Sequence, residues 1–179
     1  GLSNIPGSGP AIIISNHVSY IDTLIIASCT KRPVRFMMYW KIYNIPILNW
    51  LFRSLGAIPI ASKRECEHTY HAAFRKVEEY LLRGELVCIF PEGELTRNGE
   101  IGEFKPGIKK ILIKNPCPVI PIGMNGLWGI YFSFKHGKSF IKIPRRLWSK
   151  ITINVGESMP YSSTLEDMKS KIIDLCNKR

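Results

Sequence analysis

Ala11-Ile12-Ile13-Ile14-Ser15-Asn16-His17-Val18-Ser19-Tyr20-Ile21-Asp22 is the stretch on which the reading of the chain turns. Its opening residues follow the Gly/Pro-rich Pro6-Gly7-Ser8-Gly9-Pro10 and form the short apolar run expected of a buried strand. Ser19, with Asp22 three residues on, gives an S-x-x-D capping pattern ahead of the apolar segment 23–29, so a helix is predicted at once. His17 and Asp22 thus fall at a strand-to-helix junction, close enough for the carboxylate to reach an imidazole nitrogen. A carboxylate in that position selects one tautomer, leaves the other nitrogen to take a proton and stabilises the imidazolium that forms. Two readings stand for this pair alone. Either it is a catalytic base with its orienting acid, or Asp22 only caps the helix and His17 is a satisfied polar residue at a strand end.

Outward from this stretch, strands and helices alternate. Residues 34–38, 55–60, 86–90 and 119–123 read as strands and 151–155 as an edge strand. The longest helical pattern is 65–83, with Ala72, Ala73, Val77, Tyr80 and Leu81 on one stripe. Pro106-Gly107 opens a helix at 108–114, and Thr164 starts a terminal helix with Leu165, Met168, Ile172 and Leu175 inward. The result is a single α/β layered domain with a mixed sheet flanked by helices. Two segments stand apart in composition. Residues 39–53 pack Tyr39, Trp40, Tyr43, Trp50 and Phe52 with the cations Lys41 and Arg53, and read as a core helix with a loop, or else as a channel wall or a membrane-facing surface. Residues 127–150 interleave Trp128, Tyr131, Phe132, Phe134, Phe140 and Trp148 with Lys135, Lys138, Lys142, Arg145 and Arg146.

The length, 179 residues, suits one domain with a proper core. The chain opens on Gly1-Leu2-Ser3 without Met and is expected to be a domain, residues 1–179, excised from a longer protein. Five widely spaced cysteines, with no C-x2-C pair, argue against a disulfide framework and a zinc site, and no metal is expected. Cys66, His68 and His71 match no usual zinc spacing. No apolar run approaches the roughly 20 residues that span a bilayer. The net charge of +11 calls for an anionic partner: phospholipid headgroups, nucleic acid or an acidic carrier protein.

A second motif decides between the readings of His17. Phe90-Pro91-Glu92-Gly93-Glu94-Leu95-Thr96-Arg97 follows the strand at 86–90. Asn16-His17 with Asp22, then Phe90-Pro91-Glu92-Gly93 with Arg97, resembles the glycerolipid (lysophospholipid, 1-acylglycerol-3-phosphate) acyltransferase family. Gly56-Ala57-Ile58-Pro59-Ile60 with Arg64 is similar to its acceptor-phosphate block, and Val119-Ile120-Pro121-Ile122 to its last block. The chain departs from the common Glu-Gly-Thr-Arg form, its Thr96-Arg97 pair falling two residues late. Arg64 follows Ile60 at a longer interval than usual, so Lys63 or Arg64 is the candidate phosphate ligand. The form of this motif, with Phe104-Lys105-Pro106-Gly107 after it, looks most like the acyltransferase domains of bacterial fusion proteins related to 2-acylglycerophosphoethanolamine acyltransferase.

The resemblance implies the family's fold, with a mostly parallel central sheet, and a fatty acyl transfer from an acyl carrier protein or coenzyme A thioester to the free hydroxyl of a lysophospholipid. 1-Acylglycerol-3-phosphate is the alternative acceptor. His17 is the expected general base and Asp22 its orienter. No G-x-S-x-G elbow is present, so direct attack by the acceptor is expected without an acyl-enzyme. Backbone N–H groups of the Pro91-Glu92-Gly93 turn are the expected oxyanion donors. Asn16, Glu92, Gly93 and Thr96 are expected at the substrate, with Arg64, Arg97, Lys63 and Lys105 for acceptor phosphate. No cofactor is expected to be bound, the acyl thioester being a substrate. The expected partners are the lipid acceptor, the thioester and an anionic membrane surface, docked through 127–150 at the cytoplasmic face, peripherally or by a tether, with no nucleic acid. The rival from another class is a non-catalytic module binding anionic lipid or nucleic acid.

Overall fold

A strand covered on both faces must be apolar at nearly every position, and Ala11 to Ser15 are all fully buried. They form β1 (Ala11–Ser15), the inner strand of a computed structural model that describes residues 1–135 and 150–178. The remaining elements are α1 (Asp22–Ser28), β2 (Val34–Tyr39), α2 (Trp40–Tyr43), α3 (Pro46–Ser54), β3 (Ile58–Ile60), α4 (Glu67–Leu82), β4 (Leu86–Ile89), α5 (Gly107–Lys114), β5 (Val119–Asn125), β6 (Thr152–Val155) and α6 (Leu165–Asn177). The sheet runs β3-β2-β4-β1-β5-β6. All pairings are parallel except that of β5 with β6, so the sheet is mixed and mostly parallel, as expected. Ile13 is flanked by Cys88 on one side and Ile120 on the other.

Alternate residues of β1 feed two cores. Ile12 and Ile14 pack with Ala73, Val77, Ile108, Leu112, Met168 and Ile172 of α4, α5 and α6. Ala11 and Ile13 pack on the opposite face with Ile26 of α1, Val34, Ile122 and Leu127. Parallel strands with right-handed crossovers put their carboxyl ends on one rim of the sheet, where open α/β sheets bind ligands. β1, β2, β3, β4 and β5 all end there. Thr164 caps α6 as predicted, its hydroxyl accepting from the Asp167 N–H while Asp167 Oδ2 accepts from the Thr164 N–H.

Local structure differs from expectation in three places. Ser19 does not cap α1, because Ile21 stands at that position and the Ser19 hydroxyl only accepts weakly from the Ile21 N–H at 3.4 Å. Residues 39–53 are not a core helix. They fold as α2 and α3, neither of which contains a buried residue. In the basic aromatic stretch, Leu127 and Ile130 are buried and Trp128 and Phe132 pack against the core, so its first part is not a free surface. Phe140, Trp148, Lys138, Lys142, Arg145 and Arg146 lie outside the described residues.

The contact of α6 with β5 has no slack. A Cβ on Gly123 would fall 2.6 Å from Leu175 Cβ and 2.7 Å from the Cys176 nitrogen. Gly123→Ala must displace α6 and should lower unfolding free energy by about 1–3 kcal/mol, the usual cost of overpacking a tight core. Gly7→Ala, where nothing lies within 4 Å, should shift the denaturant midpoint little. Equal midpoints for the two variants would show that α6 is not clamped at Gly123.

Candidate active site

Past Ser15 the chain leaves the sheet, and Asn16 fastens the exit. Its amide donates to the Met124 carbonyl at 3.0 Å and its carbonyl accepts from the Met124 N–H at 2.9 Å, so the end of β1 is tied to β5 from both sides of one side chain. His17 follows, and its Nδ1 lies 2.9 Å from Asp22 Oδ2. The same oxygen accepts from the Val18 N–H at 2.7 Å and the Ser19 N–H at 2.9 Å. Asp22 is the first residue of α1, yet its carboxylate turns back over the loop instead of capping its own helix. Ring and loop are oriented by one fully buried carboxylate.

The imidazole is held on two further sides. Phe90 stacks on it with centroids 3.9 Å apart and planes at 13°. The His17 N–H donates to Glu92 Oε1 at 2.9 Å, and its carbonyl accepts from the Thr96 N–H at 2.9 Å. Glu92 Oε2 accepts from the Gly102 N–H at 2.7 Å. Both Glu92 oxygens thus bind backbone, and the side chain is buried. Burial pushes its carboxyl above the ordinary range, against the pull of the hydrogen bonds from Gly102 and His17. Asp22 accepts at Nδ1, so that nitrogen carries the hydrogen and Nε2 keeps its lone pair on the far side of the ring. His17 retains 19% of its side-chain surface. The arrangement can take a proton from a hydroxyl that reaches Nε2.

The turn offers fewer oxyanion donors than the sequence suggested. Pro91 has no N–H, and the Gly93 N–H already bonds the Phe90 carbonyl at 3.0 Å, which leaves Glu92 as the donor of the three. Gly93, at φ +72°, serves two needs, a left-handed turn and room for Lys105, whose Nζ would stand 2.7 Å from a Cβ there. Thr96 shapes the loop: its hydroxyl donates to the Glu100 carbonyl at 2.7 Å and accepts from the Gly99 N–H at 3.0 Å. Lys63 is paired with Glu67 at 3.0 Å. Arg64 and Arg97 are exposed, and neither is in an ion pair among the described residues. Arg97 and Lys105 belong to the loop after β4, next to β1, whereas Arg64 follows β3, three strand spacings or about 14 Å from β1. A cleft of about 530 Å³ opens beside the loop, lined by Asn16, Val18, Met124, Leu127 and Trp128, with His17 outside its wall.

The sequence profile of the acyltransferase family matches residues 1–125, which include the His17/Asp22 pair and the loop that holds it. The chain belongs to this family. It is 33% identical over 127 residues to the chloroplastic 1-acyl-sn-glycerol-3-phosphate acyltransferase LPAT1 of Arabidopsis thaliana, covering 70% of this chain and 35% of that protein. Identity to the 1-acyl-sn-glycerol-3-phosphate acyltransferase of Borreliella burgdorferi is 29% over 122 residues, 68% of this chain and 48% of that one. The chain thus spans between a third and a half of these relatives. In fold it is similar to the crystal structure of the 1-acyl-sn-glycerophosphate acyltransferase PlsC from Thermotoga maritima, with a TM-score of 0.72 and 24% identity, over 100% of this chain and 71% of that one.

Sequence reasoning assigned no role to Phe90 or Gly102. Phe90 was visible as the residue ahead of the Pro-Glu-Gly turn, but a stacking partner is defined only by the sheet that sets β4 beside β1. Gly102 carried no signal beyond its loop composition. Glu92→Ala would strip both part-buried backbone N–H groups of their acceptor, at a cost of at most about 1–3 kcal/mol and less at exposed Gly102, where water can replace it. Faster hydrogen exchange at the His17 and Gly102 amides, with the exchange of β1 unchanged, is the expected result. Unchanged protection at both amides would show that Glu92 does not hold the loop.

Proposed function

We propose that the protein transfers a fatty acyl group from a thioester to the free hydroxyl of 1-acylglycerol-3-phosphate, forming phosphatidic acid. The observation that carries this reading is His17, whose Nδ1 is held by buried Asp22 at 2.9 Å while Nε2 is left for an acceptor proton. The acceptor hydroxyl gives its proton to Nε2 as its oxygen attacks the thioester carbonyl. The tetrahedral intermediate collapses with loss of the thiolate, and the imidazolium returns the proton to the leaving sulfur. Asp22 stabilises the imidazolium between the two steps, and the stacked Phe90 keeps the ring from turning. No protein nucleophile enters.

The choice of acceptor is supported by the names of the relatives, which are 1-acylglycerol-3-phosphate acyltransferases, and by the exposed cations Arg64, Arg97 and Lys105 on the same rim. Arg64 is favoured over Lys63 as a phosphate ligand because Lys63 is engaged by Glu67. A second acceptor, 2-acylglycerophosphoethanolamine, stays in view for one reason: the longer turn adds Glu94, an exposed carboxylate able to pair with an ammonium headgroup. Acyl carrier protein and coenzyme A both remain donor substrates of this reading, and no bound cofactor enters it. Acceptor and product are lipids, so the reaction runs at a membrane surface. Among the described residues no helix is long and apolar enough to cross a membrane.

Thiol release with both thioesters, and lipid products from a panel of lysophosphatidate and lysophosphatidylethanolamine, tests the reading. Phosphatidic acid is the expected product, and no release above blank with any pair would favour a non-catalytic lipid module. His17→Ala should fold and lose about 10²–10⁴ in kcat, with Asp22→Asn severely impaired because base and orienter act as a unit. A folded His17→Ala protein that keeps more than about a tenth of kcat would end the general-base mechanism. Arg97→Ala and Arg64→Ala should raise the acceptor KM and leave the donor KM alone. If Arg97→Ala changes neither acceptor KM nor kcat, the phosphate ligand is Arg64 or Lys105.

A further inference from the structure

An amphipathic helix on a globular protein turns its apolar stripe to the core. In α3 the apolar stripe faces water. Ile47, Trp50 and Leu51 have the spacing of one stripe and are 80%, 67% and 37% exposed. Leu48 and Leu55 widen it, and Ile45 and Tyr39 carry it towards α2, all of them exposed. What turns inward is modest: Asn49 donates to the Tyr43 carbonyl at 2.8 Å, and Phe52 stacks on Tyr43. These contacts hold α3 to α2 without covering the stripe.

Along this part of the chain charge is one-sided, with Glu65 at its end accepting from the Tyr39 hydroxyl at 2.7 Å. From Asp22 to Glu65 the chain has no acidic residue, while that interval holds Lys31, Arg32, Arg35, Lys41, Arg53, Lys63 and Arg64. Arg35 is committed to Glu85 and Arg32 to backbone carbonyls. Lys41, before Ile47 in sequence, and Arg53, after Leu51, are exposed and in no ion pair among the described residues, although Lys41, after the bond from the Tyr39 hydroxyl, helps hold the carboxyl of Glu65 below the ordinary range. Lys41 Nζ lies 5.8 Å from the ring centroids of Tyr39 and Trp40. Large apolar and aromatic side chains bracketed by unpaired cations are the composition of an interfacial surface, where rings enter the headgroup boundary and cations meet anionic phosphates.

We propose that the α2–α3 face, anchored by Ile47 and Trp50 and bracketed by Lys41 and Arg53, docks onto an anionic lipid bilayer. This rests on the lipid acceptor proposed above and names the surface that presents the site to it. β2 and β1 are parallel to the strand between them, so Tyr39 and His17 leave the same rim of the sheet, two strand spacings or about 10 Å apart. Docking through α2–α3 sets that rim against the headgroups. An acidic protein would satisfy Lys41 and Arg53 but leave Ile47 and Trp50 in water. A second copy meeting this face across a two-fold would bring a cationic bracket against its own like.

The test uses the 179-residue chain with vesicles of phosphatidylcholine alone and of phosphatidylcholine with equimolar phosphatidylglycerol. The parent should float with the anionic vesicles, and Ile47→Glu/Trp50→Glu should keep its circular dichroism and lose more than about tenfold in partitioning, as withdrawal of two large apolar side chains requires. Lys41→Glu/Arg53→Glu should bind the anionic vesicles less and lose the salt sensitivity of the parent. Lipids brominated along their tails should quench a share of the parent's tryptophan fluorescence that is missing in Trp50→Phe. Flotation of Ile47→Glu/Trp50→Glu at the parent level overturns the proposal, as does a parent dimer that this variant makes monomeric without loss of vesicle binding. Loss of binding in the cation variant alone, without tryptophan quenching, assigns the face to an acidic protein and overturns it too. Turnover separates the two claims: both stand if the apolar variant still acylates a short-chain, monomeric 1-acylglycerol-3-phosphate but fails on the same lipid in vesicles. A parent that floats yet acylates neither form retains the docking face and loses the acyltransferase reading.

Discussion

Asp22 Oδ2 is the point on which the site depends. A carboxylate with no exposed surface is costly unless donors surround it, and this oxygen collects them from the His17 ring and from the backbone of Val18 and Ser19. Those backbone donors can converge on one atom only if the chain wraps around it, so the turn between β1 and α1 and the pose of the imidazole have a common cause. The other oxygen, Oδ1, has no partner among the described residues, which leaves the carboxylate's interaction concentrated on the side of the histidine.

The second layer of support comes from the loop after β4. Glu92 spends both oxygens on backbone, one on His17 and one on Gly102, and Thr96 closes the far side through the His17 carbonyl. Glu92 and Thr96, residues of the motif, thus hold the loop that carries His17. Asn16 does the same for the end of β1 through Met124. The cations left exposed and outside ion pairs among the described residues are Arg64 and Arg97, with Lys105 over Gly93. Rigidity around His17 and openness at the cations suit the acyl transfer proposed above, in which the proton acceptor is preorganised while the acceptor arrives from a surface.

The connection from β2 to β3 shows how packing, not pattern, assigns a face. Its residues have the apolar content of a core helix, yet none of α2 or α3 is buried. An amphipathic period states only that two faces differ. Which face meets protein depends on what lies opposite, and the sheet beneath is met by α2 and by the turn at Gly56, where Arg35 reaches the Leu55 carbonyl.

The sequence by itself determined the order and type of nearly every element, because buried parallel strands such as Ala11–Ser15 and Leu86–Ile89 are continuous apolar runs and Thr164 with Asp167 writes its own helix start. The His17/Asp22 pair was legible for the same reason: its members are five residues apart, within reach through local geometry. What only the tertiary structure decided lies across long separations. The Phe90 stack, the bond from His17 to Glu92 and the clamp of Asn16 on Met124 all require β4 and β5 to flank β1. Side-chain period carries no record of which strands become neighbours. That choice belongs to crossover handedness and the packing of two cores, and it sets which motif residues meet His17.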